Sequence, residues 1–210
     1  MGAVKSGFIT LEGIDGCGKS SLAGIISGRL MEAGFRVELT AEPTRTWLGD
    51  AVRRSYGEDV SPYTEAFLFL ADRATHTEWI RKRIAEGKLV ISDRYSDSTV
   101  AYQAAHLHQK LGGKPSDYIR YLMEVSMPVI QRPDLTLLLD ADPEISLKRL
   151  GGRSELEKFE NLDNLRLVRQ NYLDIARMSD HVRTIDASKD IAEVRESIFN
   201  ALGRHFGIEL

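Results

Sequence analysis

Short apolar runs alternate along this chain with longer stretches in which apolar residues recur at helical spacing. The runs with the length of buried strands are 8–11, 36–39, 89–92, 135–139 and 182–185. Between them, segments such as 20–33 and 61–87 have the spacing and the end signals of helices. Regular alternation of strands and helices is typical of a parallel sheet that helices cover on both faces. The pattern therefore predicts an α/β fold.

The longer of these two helices is predicted to begin at Ser61-Pro62 and to end at Gly87. A serine cap with proline in the first turn is a common helix start, and glycine is a common end. Within this helix, Phe67 and Leu70 are candidates for the hydrophobic core.

Composition and charge exclude several classes of partner. The chain has 210 residues and no repeat, low-complexity tract or linker, so we expect one domain over 1–210. A formal net charge of −3 gives no reason to expect a nucleic-acid polymer. The start of the chain lacks the apolar core of a signal peptide, and no apolar run approaches the ~20 residues that span a bilayer. We therefore expect a soluble cytoplasmic protein without a membrane partner.

A phosphate-binding motif follows the first apolar run. Residues 13–20 fit G-x-x-x-x-G-K-[ST] without a gap. Glycines permit a tight turn whose N–H groups point at an anion, and the helix that begins at Lys19 adds the positive end of its dipole. Lys19 supplies charge for the β- and γ-phosphates, and the Ser20 hydroxyl is a hard ligand for Mg²⁺. The residues assigned here to ATP are Gly13, Asp15, Gly16, Cys17, Gly18, Lys19, Ser20 and Ser21.

The motif alone does not choose a reaction, because switch GTPases, motor ATPases and kinases share it. The sequence has no N-K-x-D guanine motif, and its length is short for a multidomain ATPase. It does carry Arg73 on a predicted helix, Arg94 after the third apolar run and Arg153 in a glycine-rich charged segment. Arginines that converge on donor and acceptor phosphates supply the positioning and charge neutralisation that phosphoryl transfer needs. We therefore interpret the chain as an ATP-dependent phosphotransferase.

Several motifs together resemble the thymidylate kinase family. The likeness covers nearly the whole chain, in the blocks 8–20, 42–44, 69–73, 92–103 and 134–149. It implies a three-layer P-loop NTPase fold, with a five-stranded parallel sheet flanked by helices and a short lid at about 150–160. It also implies transfer of the ATP γ-phosphoryl group to thymidine 5′-monophosphate (dTMP) with Mg²⁺, in dTTP biosynthesis, by a homodimer.

The resemblance implies roles for individual residues in acceptor binding. Phe69 would stack on thymine, Arg73 would bond a base carbonyl, and Arg94 would bond the acceptor phosphate. Tyr102 would lie beneath the sugar and favour deoxynucleotides, while Asp15 would bond the 3′-hydroxyl. The full set assigned to the acceptor is Asp15, Glu42, Arg45, Phe69, Arg73, Arg94, Ser98, Thr99, Tyr102 and Gln103.

The resemblance also implies the donor, metal and catalytic residues. Arg149, Asp186 and Ala187 would lie near ATP, and Asp93 would join Ser20 at the metal. An aspartate at the end of an apolar strand is where a carboxylate that orients a metal is useful, so the pattern agrees. The residues assigned to catalysis are Lys19, Arg94, Arg153 and Asp15.

Two departures from the usual family pattern affect these assignments. Arg45 stands where many bacterial members have glycine, which adds a cation close to the acceptor site. Residues 157–160 read E-K-F-E, where many members have D-R-x-E, and lysine lacks the guanidinium fork of arginine. Arg153 is therefore the best candidate for the catalytic cation of the lid, although the segment 151–158 also fits a plain surface loop.

Two alternatives remain open from sequence. One is a kinase for another nucleotide or deoxynucleotide. The other is a P-loop ATPase with a regulatory role, which would release ADP without any acceptor.

Overall fold

The structure is a computed structural model, and it describes residues 6–151 and 161–209. Its sheet contains five parallel strands in the order β2-β3-β1-β4-β5. The strands are β1 (Gly7–Glu12), β2 (Val37–Ala41), β3 (Leu89–Asp93), β4 (Leu135–Asp140) and β5 (Val182–Asp186). Each predicted run overlaps one strand, and the predicted α/β fold with a five-stranded parallel sheet is confirmed.

Helices cross between the strands, as parallel connections require. They are α1 (Lys19–Glu32), α2 (Trp47–Ser55), α3 (Pro62–Ala85), α4 (Ser96–Leu111), α5 (Pro115–Ser126), α6 (Pro143–Leu150), α7 (Leu162–Arg177) and α8 (Ile191–Phe206), with a 3₁₀ turn at Met127–Val129. Among the helices in the described ranges, none is long and apolar enough to cross a membrane.

Local sequence signals set several of the helix ends. The side chain of Ser61 accepts a hydrogen bond from Tyr63 N, and Pro62 occupies the first turn of α3, as predicted. Asp190 caps α8 in the same way by accepting from Ala192 N and Glu193 N. These caps satisfy backbone donors that have no partner within the helix.

The central strands form the interior of the molecule. Leu11 of β1, Ile91 of β3 and Leu137 of β4 are fully buried, as expected for strands that helices cover on both sides. The edge strand β2 is only partly buried along its length. The core therefore lies around β1, which also carries the phosphate-binding motif at its end.

Helix α3 corrects one prediction from sequence. Phe67 was expected in the core, but 48% of its surface is exposed. Apart from Ala66 and Ile80, the buried side chains of α3 are polar. These side chains are Glu65, Asp72, Arg73, His76 and Thr77.

The sheet order places the functional segments together. Strands β1 and β3 are neighbours, with Leu11 paired to Asp93, so their carboxyl ends lie side by side. The chain order reverses around β1, since β3 and β2 lie on one side of it and β4 and β5 on the other. Ligands of open parallel sheets bind at such a switch point, outside the carboxyl ends of the strands.

Candidate active site

The loop from Gly13 to Gly18 connects β1 to α1 and has the backbone that the motif predicts. Gly13, Gly16 and Gly18 all have positive φ, at 137°, 79° and 101°. A Cβ atom added to Gly16 would lie 2.3 Å from Ser146 O, so the position has no room for a side chain. The loop can therefore turn tightly enough to direct its N–H groups toward an anion at the start of α1.

Lys19 is almost fully buried inside this loop. Its ammonium donates to Gly13 O at 3.0 Å and to Ile14 O at 2.9 Å, and it lies 3.6 Å from Cys17 Sγ. These contacts hold the charge within the curve of the loop. A phosphate bound to the loop N–H groups would therefore meet Lys19 directly.

Ser20 and Asp93 form the proposed metal position. The Ser20 hydroxyl donates to Asp93 Oδ2 at 2.5 Å, and Asp93 Oδ1 is buried without a hydrogen-bond partner among residues 6–151 and 161–209. The same described residues contain no group of three or more His, Cys, Asp and Glu side chains that could hold a metal by themselves. One hydroxyl and one carboxylate beside a phosphate loop fit Mg²⁺, which proteins commonly hold through few side chains together with substrate phosphates.

Arg94 follows β3 with an unusual backbone. Its φ is +69°, and it is the one non-glycine residue with positive φ in the described part of the chain. The buried carboxylate of Glu12 holds the next residue in place, because it accepts from Tyr95 N at 2.8 Å and from Ser98 Oγ at 2.5 Å. Burial raises the pKa of Glu12 to about 7, with a smaller contribution from Asp97.

The guanidinium of Arg94 connects the phosphate loop to the neighbouring helix. It donates to Gly13 O at 3.2 Å, to Ser98 Oγ at 3.0 Å and to Asp15 Oδ1 at 2.5 Å. Tyr102 lies beneath it, with the ring centre 5.0 Å from the guanidinium carbon, and donates its hydroxyl to Asp15 Oδ2 at 2.6 Å. Sequence reasoning named all four of these partners or their motifs, and the fold brings them together.

The electrostatics of this cluster keep Asp15 ionised. Burial alone would raise its pKa, but the charges of Arg94 and Lys19 and the Tyr102 hydroxyl outweigh burial and lower it to about 2. Burial raises the pKa of Tyr102 well above its usual range. Asp15 is therefore a carboxylate, and Tyr102 a neutral hydroxyl, throughout the physiological pH range.

A pocket of about 260 Å³ opens beside this cluster. It contains seven of the residues that the sequence assigned to the acceptor, and three that it did not. The predicted ones are Asp15, Phe69, Arg94, Ser98, Thr99, Tyr102 and Gln103. The additional ones are Pro43, Arg53 and Tyr56. Sequence offered no signal for Arg53, because a charged residue on an amphipathic helix usually faces solvent.

Arg73 and Glu42 lie beneath the pocket. Arg73 is fully buried and donates to Glu42 Oε2 at 2.5 Å and to Thr99 Oγ1 at 2.8 Å, while its Nε and Nη1 have no hydrogen-bond partner within the described residues. The other oxygen of Glu42 lies 2.8 Å from His76 Nδ1. Both oxygens of Glu42 are thus bonded to protein groups, so Glu42 positions Arg73 in this structure.

Three predicted acceptor residues do not line this pocket: Glu42 and Arg73, described above, and Arg45. Arg45 lines a second, larger cavity of about 960 Å³ between β2, α2 and α3, together with Thr46, His76 and Trp79. Arg53 lines both cavities. In the described chain the extra cation on the acceptor pocket is therefore Arg53.

The residues that the sequence assigned to ATP outside the phosphate loop, Arg149, Asp186 and Ala187, also come together. Arg149 of α6 donates to Ala187 O at 2.9 Å, and the Asp186 carboxylate accepts from Ser188 N at 3.1 Å. This group lies at the end of β5, at the carboxyl edge of the sheet, where the side chain of Arg149 reaches it from α6. Arg153, the remaining catalytic assignment, and most of the predicted lid at about 150–160 lie outside the described residues.

Comparison with known proteins agrees with this arrangement. Residues 11–198 match the family model described as thymidylate kinase. A protein of Methanococcoides burtonii named "Probable thymidylate kinase" is 40% identical over 201 residues, which is 95% of this chain and 97% of that protein. Proteins with the same name from Methanoculleus marisnigri and Archaeoglobus fulgidus are 43% and 40% identical, over 80% and 90% of this chain and 80% and 91% of theirs. This chain belongs to the thymidylate kinase family.

Proposed function

We propose that this protein phosphorylates dTMP to dTDP with Mg-ATP, as a step toward dTTP. The observation that carries the proposal is the position of Arg94. Its guanidinium is within hydrogen-bonding distance of Gly13 O in the phosphate loop and of Asp15 and Ser98 in the adjoining pocket. One cation thus lies between a triphosphate site and a pocket for a second, smaller substrate.

The pocket chemistry supports a thymidine nucleotide as the acceptor. Phe69 offers an aromatic face on which a base can stack, and Gln103 offers an amide for its polar edge. Asp15, held ionised by Arg94, can accept a hydrogen bond from a sugar hydroxyl. We assign Tyr102 to the face of the sugar that lacks a 2′-hydroxyl, where its ring limits the space.

Transfer needs no general base. An ionised oxygen of the dTMP phosphate attacks the γ-phosphorus, the bond from that phosphorus to the β,γ-bridging oxygen breaks, and ADP leaves with the bonding electrons. Lys19 holds the β- and γ-phosphates, and Arg94 brings the acceptor phosphate toward them. Bound Mg²⁺, held through Ser20 and Asp93, would supply further charge neutralisation at the phosphates.

We assign the remaining catalytic charge to Arg153 and treat 150–160 as a lid of the single domain 1–210. The support is the residue pattern, since these glycines and charges follow α6, which carries Arg149 at the donor side. Closure over the phosphates would exclude water and suppress ATP hydrolysis.

We also infer a homodimer in the cytoplasm. On α3 and α5, the rings of Tyr63, Phe67 and Tyr121 form an aromatic group, with Tyr63 6.3 Å from Phe67 and 6.0 Å from Tyr121. The exposure of Phe67 would be reduced if a second copy packed on it. Light scattering behind size exclusion tests this, with a mass near 47 kDa expected for two 23.6-kDa chains.

The first experiment is ADP release from Mg-ATP with a panel of nucleoside monophosphates and a control without acceptor. We expect strong turnover with dTMP, weaker turnover with dUMP and little elsewhere. Preference for another monophosphate would leave the donor site intact but remove the assignments of Phe69 and Tyr102. ADP release without acceptor would instead favour an ATPase.

A further inference from the structure

Asp72 on α3 is a buried carboxylate that the proposed reaction does not use. It is 1% exposed. It accepts hydrogen bonds from Thr44 N at 2.7 Å, from Thr44 Oγ1 at 2.5 Å and from Thr46 Oγ1 at 3.3 Å. Burying a carboxylate is costly unless several hydrogen bonds stabilise it, and all three of these come from the segment that connects β2 to α2. Asp72 therefore fixes that segment to α3.

The fixed segment in turn holds the guanidinium of Arg53. Arg53 lies on α2 and donates from Nη1 to Pro43 O at 3.2 Å and from Nη2 to Thr44 O at 2.8 Å. Its Nη2 also donates to Asp50 Oδ1 at 2.6 Å, one turn earlier in the same helix. Two of the three oxygens on this guanidinium are thus backbone oxygens of the segment that Asp72 fixes.

The same segment sets the start of α2. Thr46 caps the helix, because its hydroxyl accepts from Gly49 N at 3.5 Å. A Cβ atom added to Gly49 would lie 1.9 Å from Thr44 O, so the helix and the segment are in close contact. A shift of the segment would therefore move the helix that carries Arg53 as well as the carbonyl oxygens that hold its guanidinium.

Arg53 connects this arrangement to the acceptor pocket. Its side chain is 42% exposed, and it lines the pocket of about 260 Å³ together with Asp15 and Arg94. Pro43, whose carbonyl oxygen accepts from Arg53 Nη1, lines the same pocket. The guanidinium therefore lies at the pocket wall and keeps accessible surface. A cation in that position suits a second substrate that carries a phosphate.

We propose that Asp72 is a positioning residue for acceptor binding, because it holds the segment 43–46 so that the carbonyl oxygens of Pro43 and Thr44 keep the Arg53 guanidinium at the wall of the acceptor pocket. This inference rests on the proposed function, since the phosphate of dTMP is the anion that Arg53 meets. Asp72 touches no substrate, and its effect on dTMP binding passes through Arg53.

The test is a double-mutant cycle of Asp72→Ala and Arg53→Ala, assayed with dTMP at saturating ATP. Asp72→Ala frees the segment, so we expect the KM for dTMP to rise by about tenfold, with the KM for ATP unchanged. Arg53→Ala removes the cation itself and should raise the KM for dTMP at least as much. In the Arg53→Ala background, Asp72→Ala should then add little, because the group that it positions is gone.

Two outcomes of this cycle would overturn the inference. A rise in the KM for dTMP by the same factor in both backgrounds would show that Asp72 acts by a route other than Arg53. A purely structural role would reduce the amount of folded enzyme, which lowers the apparent kcat and leaves both KM values where they were.

A milder pair of variants covers the case in which Asp72→Ala folds poorly. Valine has the shape of threonine without the hydroxyl, so Thr44→Val loses the hydrogen bond from Thr44 Oγ1 to Asp72, whereas Thr44→Ser keeps it. We expect Thr44→Val to raise the KM for dTMP several-fold and Thr44→Ser to raise it less. Equal KM values in the two variants would contradict the proposal. Asp117→Ala removes a carboxylate at an exposed position of α5, where Asp117 pairs with Arg120, and should change nothing.

The panel of monophosphates separates the two hypotheses. If the wild type prefers dTMP and Asp72→Ala has an unchanged KM for it, the proposed function stands and the inference about Asp72 fails. If the wild type prefers another nucleoside monophosphate, the proposed acceptor is wrong, but the same cycle with that nucleotide still tests Asp72 through the phosphate that Arg53 meets. Release of ADP without any acceptor would overturn both.

Discussion

The donor and acceptor halves of the site are built in different ways. The phosphate-binding part of the donor half is one short segment, from Gly13 to Ser20, and its glycine backbone supplies most of the shape. The acceptor half takes single side chains from distant parts of the chain. Asp15 comes from the phosphate loop, Phe69 from α3, Arg94 from the end of β3 and Gln103 from α4.

This difference separates generic chemistry from selectivity. A backbone loop binds any triphosphate in the same manner, because N–H groups do not depend on neighbouring side chains. An acceptor pocket of dispersed side chains depends on how the helices pack, and each contact can be tuned separately. Variants in the two halves should therefore have different kinetic signatures.

Removal of Arg153 should have the largest effect. Arg153 belongs to neither half, so this variant tests whether a third part of the chain contributes to catalysis. We expect Arg153→Ala to lower kcat by roughly 10³-fold, as for other arginines that meet a transferring phosphoryl group, with little change in ATP affinity. Single-turnover kinetics with an independent ATP-binding measurement check this. An unchanged kcat would remove the role, and Lys158→Ala is a control in the same segment.

Lys19→Ala should have the next largest effect on activity, and it shows the kinetic signature of a change in the donor half. The lost charge acts at the phosphates, so we expect kcat to fall by roughly 10²–10³-fold while the affinity for dTMP is kept. Calorimetric titration of dTMP gives the affinity. Loss of dTMP binding to the same extent would show that the two halves are not separable, since Lys19 also lowers the pKa of Asp15.

Tyr102→Ala should give the acceptor signature, which is a change of selectivity. Without the ring, the ratio of kcat/KM for dTMP over ribothymidine monophosphate should fall by about tenfold or more. Tyr102→Phe is the matched control, because it keeps the ring and loses only the hydroxyl with its hydrogen bonds to Asp15 and Arg94. Its ratio should stay at the wild-type value, and an equal fall in both variants would place the selectivity elsewhere.

Glu12→Gln should have the smallest effect on activity. It tests, through stability, the buried carboxylate that binds Tyr95 N and Ser98 Oγ next to Arg94. Because the pKa of Glu12 is raised from 4.5 to about 7, the native protein binds a proton that the unfolded chain releases between these values. The stabilisation is complete below about pH 4.5 and is lost as pH rises through about 7. We expect the free energy of unfolding, measured with urea between pH 5.5 and 7.5, to decline less steeply with pH in Glu12→Gln. The control Glu78→Gln, at an exposed position of α3 where Glu78 pairs with Arg81, should follow the wild type.

Much of the fold could be predicted because the strands are strongly apolar and the phosphate motif is contiguous. The positions of Phe69, Tyr102 and Gln103 followed from motif order and agree with the pocket. Arg53 and Tyr56 could not be found, since their role depends on how α2 packs against α3. The exposure of Phe67 could not be predicted for the same reason. Which face of α3 is buried depends on the elements that pack against it.

The backbone of Arg94 has a consequence for how this enzyme can evolve. A side chain in the left-handed region costs roughly 1–2 kcal/mol, and glycine would relieve that cost. Arg94→Gly would also remove the cation paired with the Asp15 carboxylate and the donor to Gly13 O and Ser98 Oγ, and the loss of a buried ion pair opposes the gain from the relaxed backbone. Substitutions at this position are therefore opposed by folding stability as well as by activity.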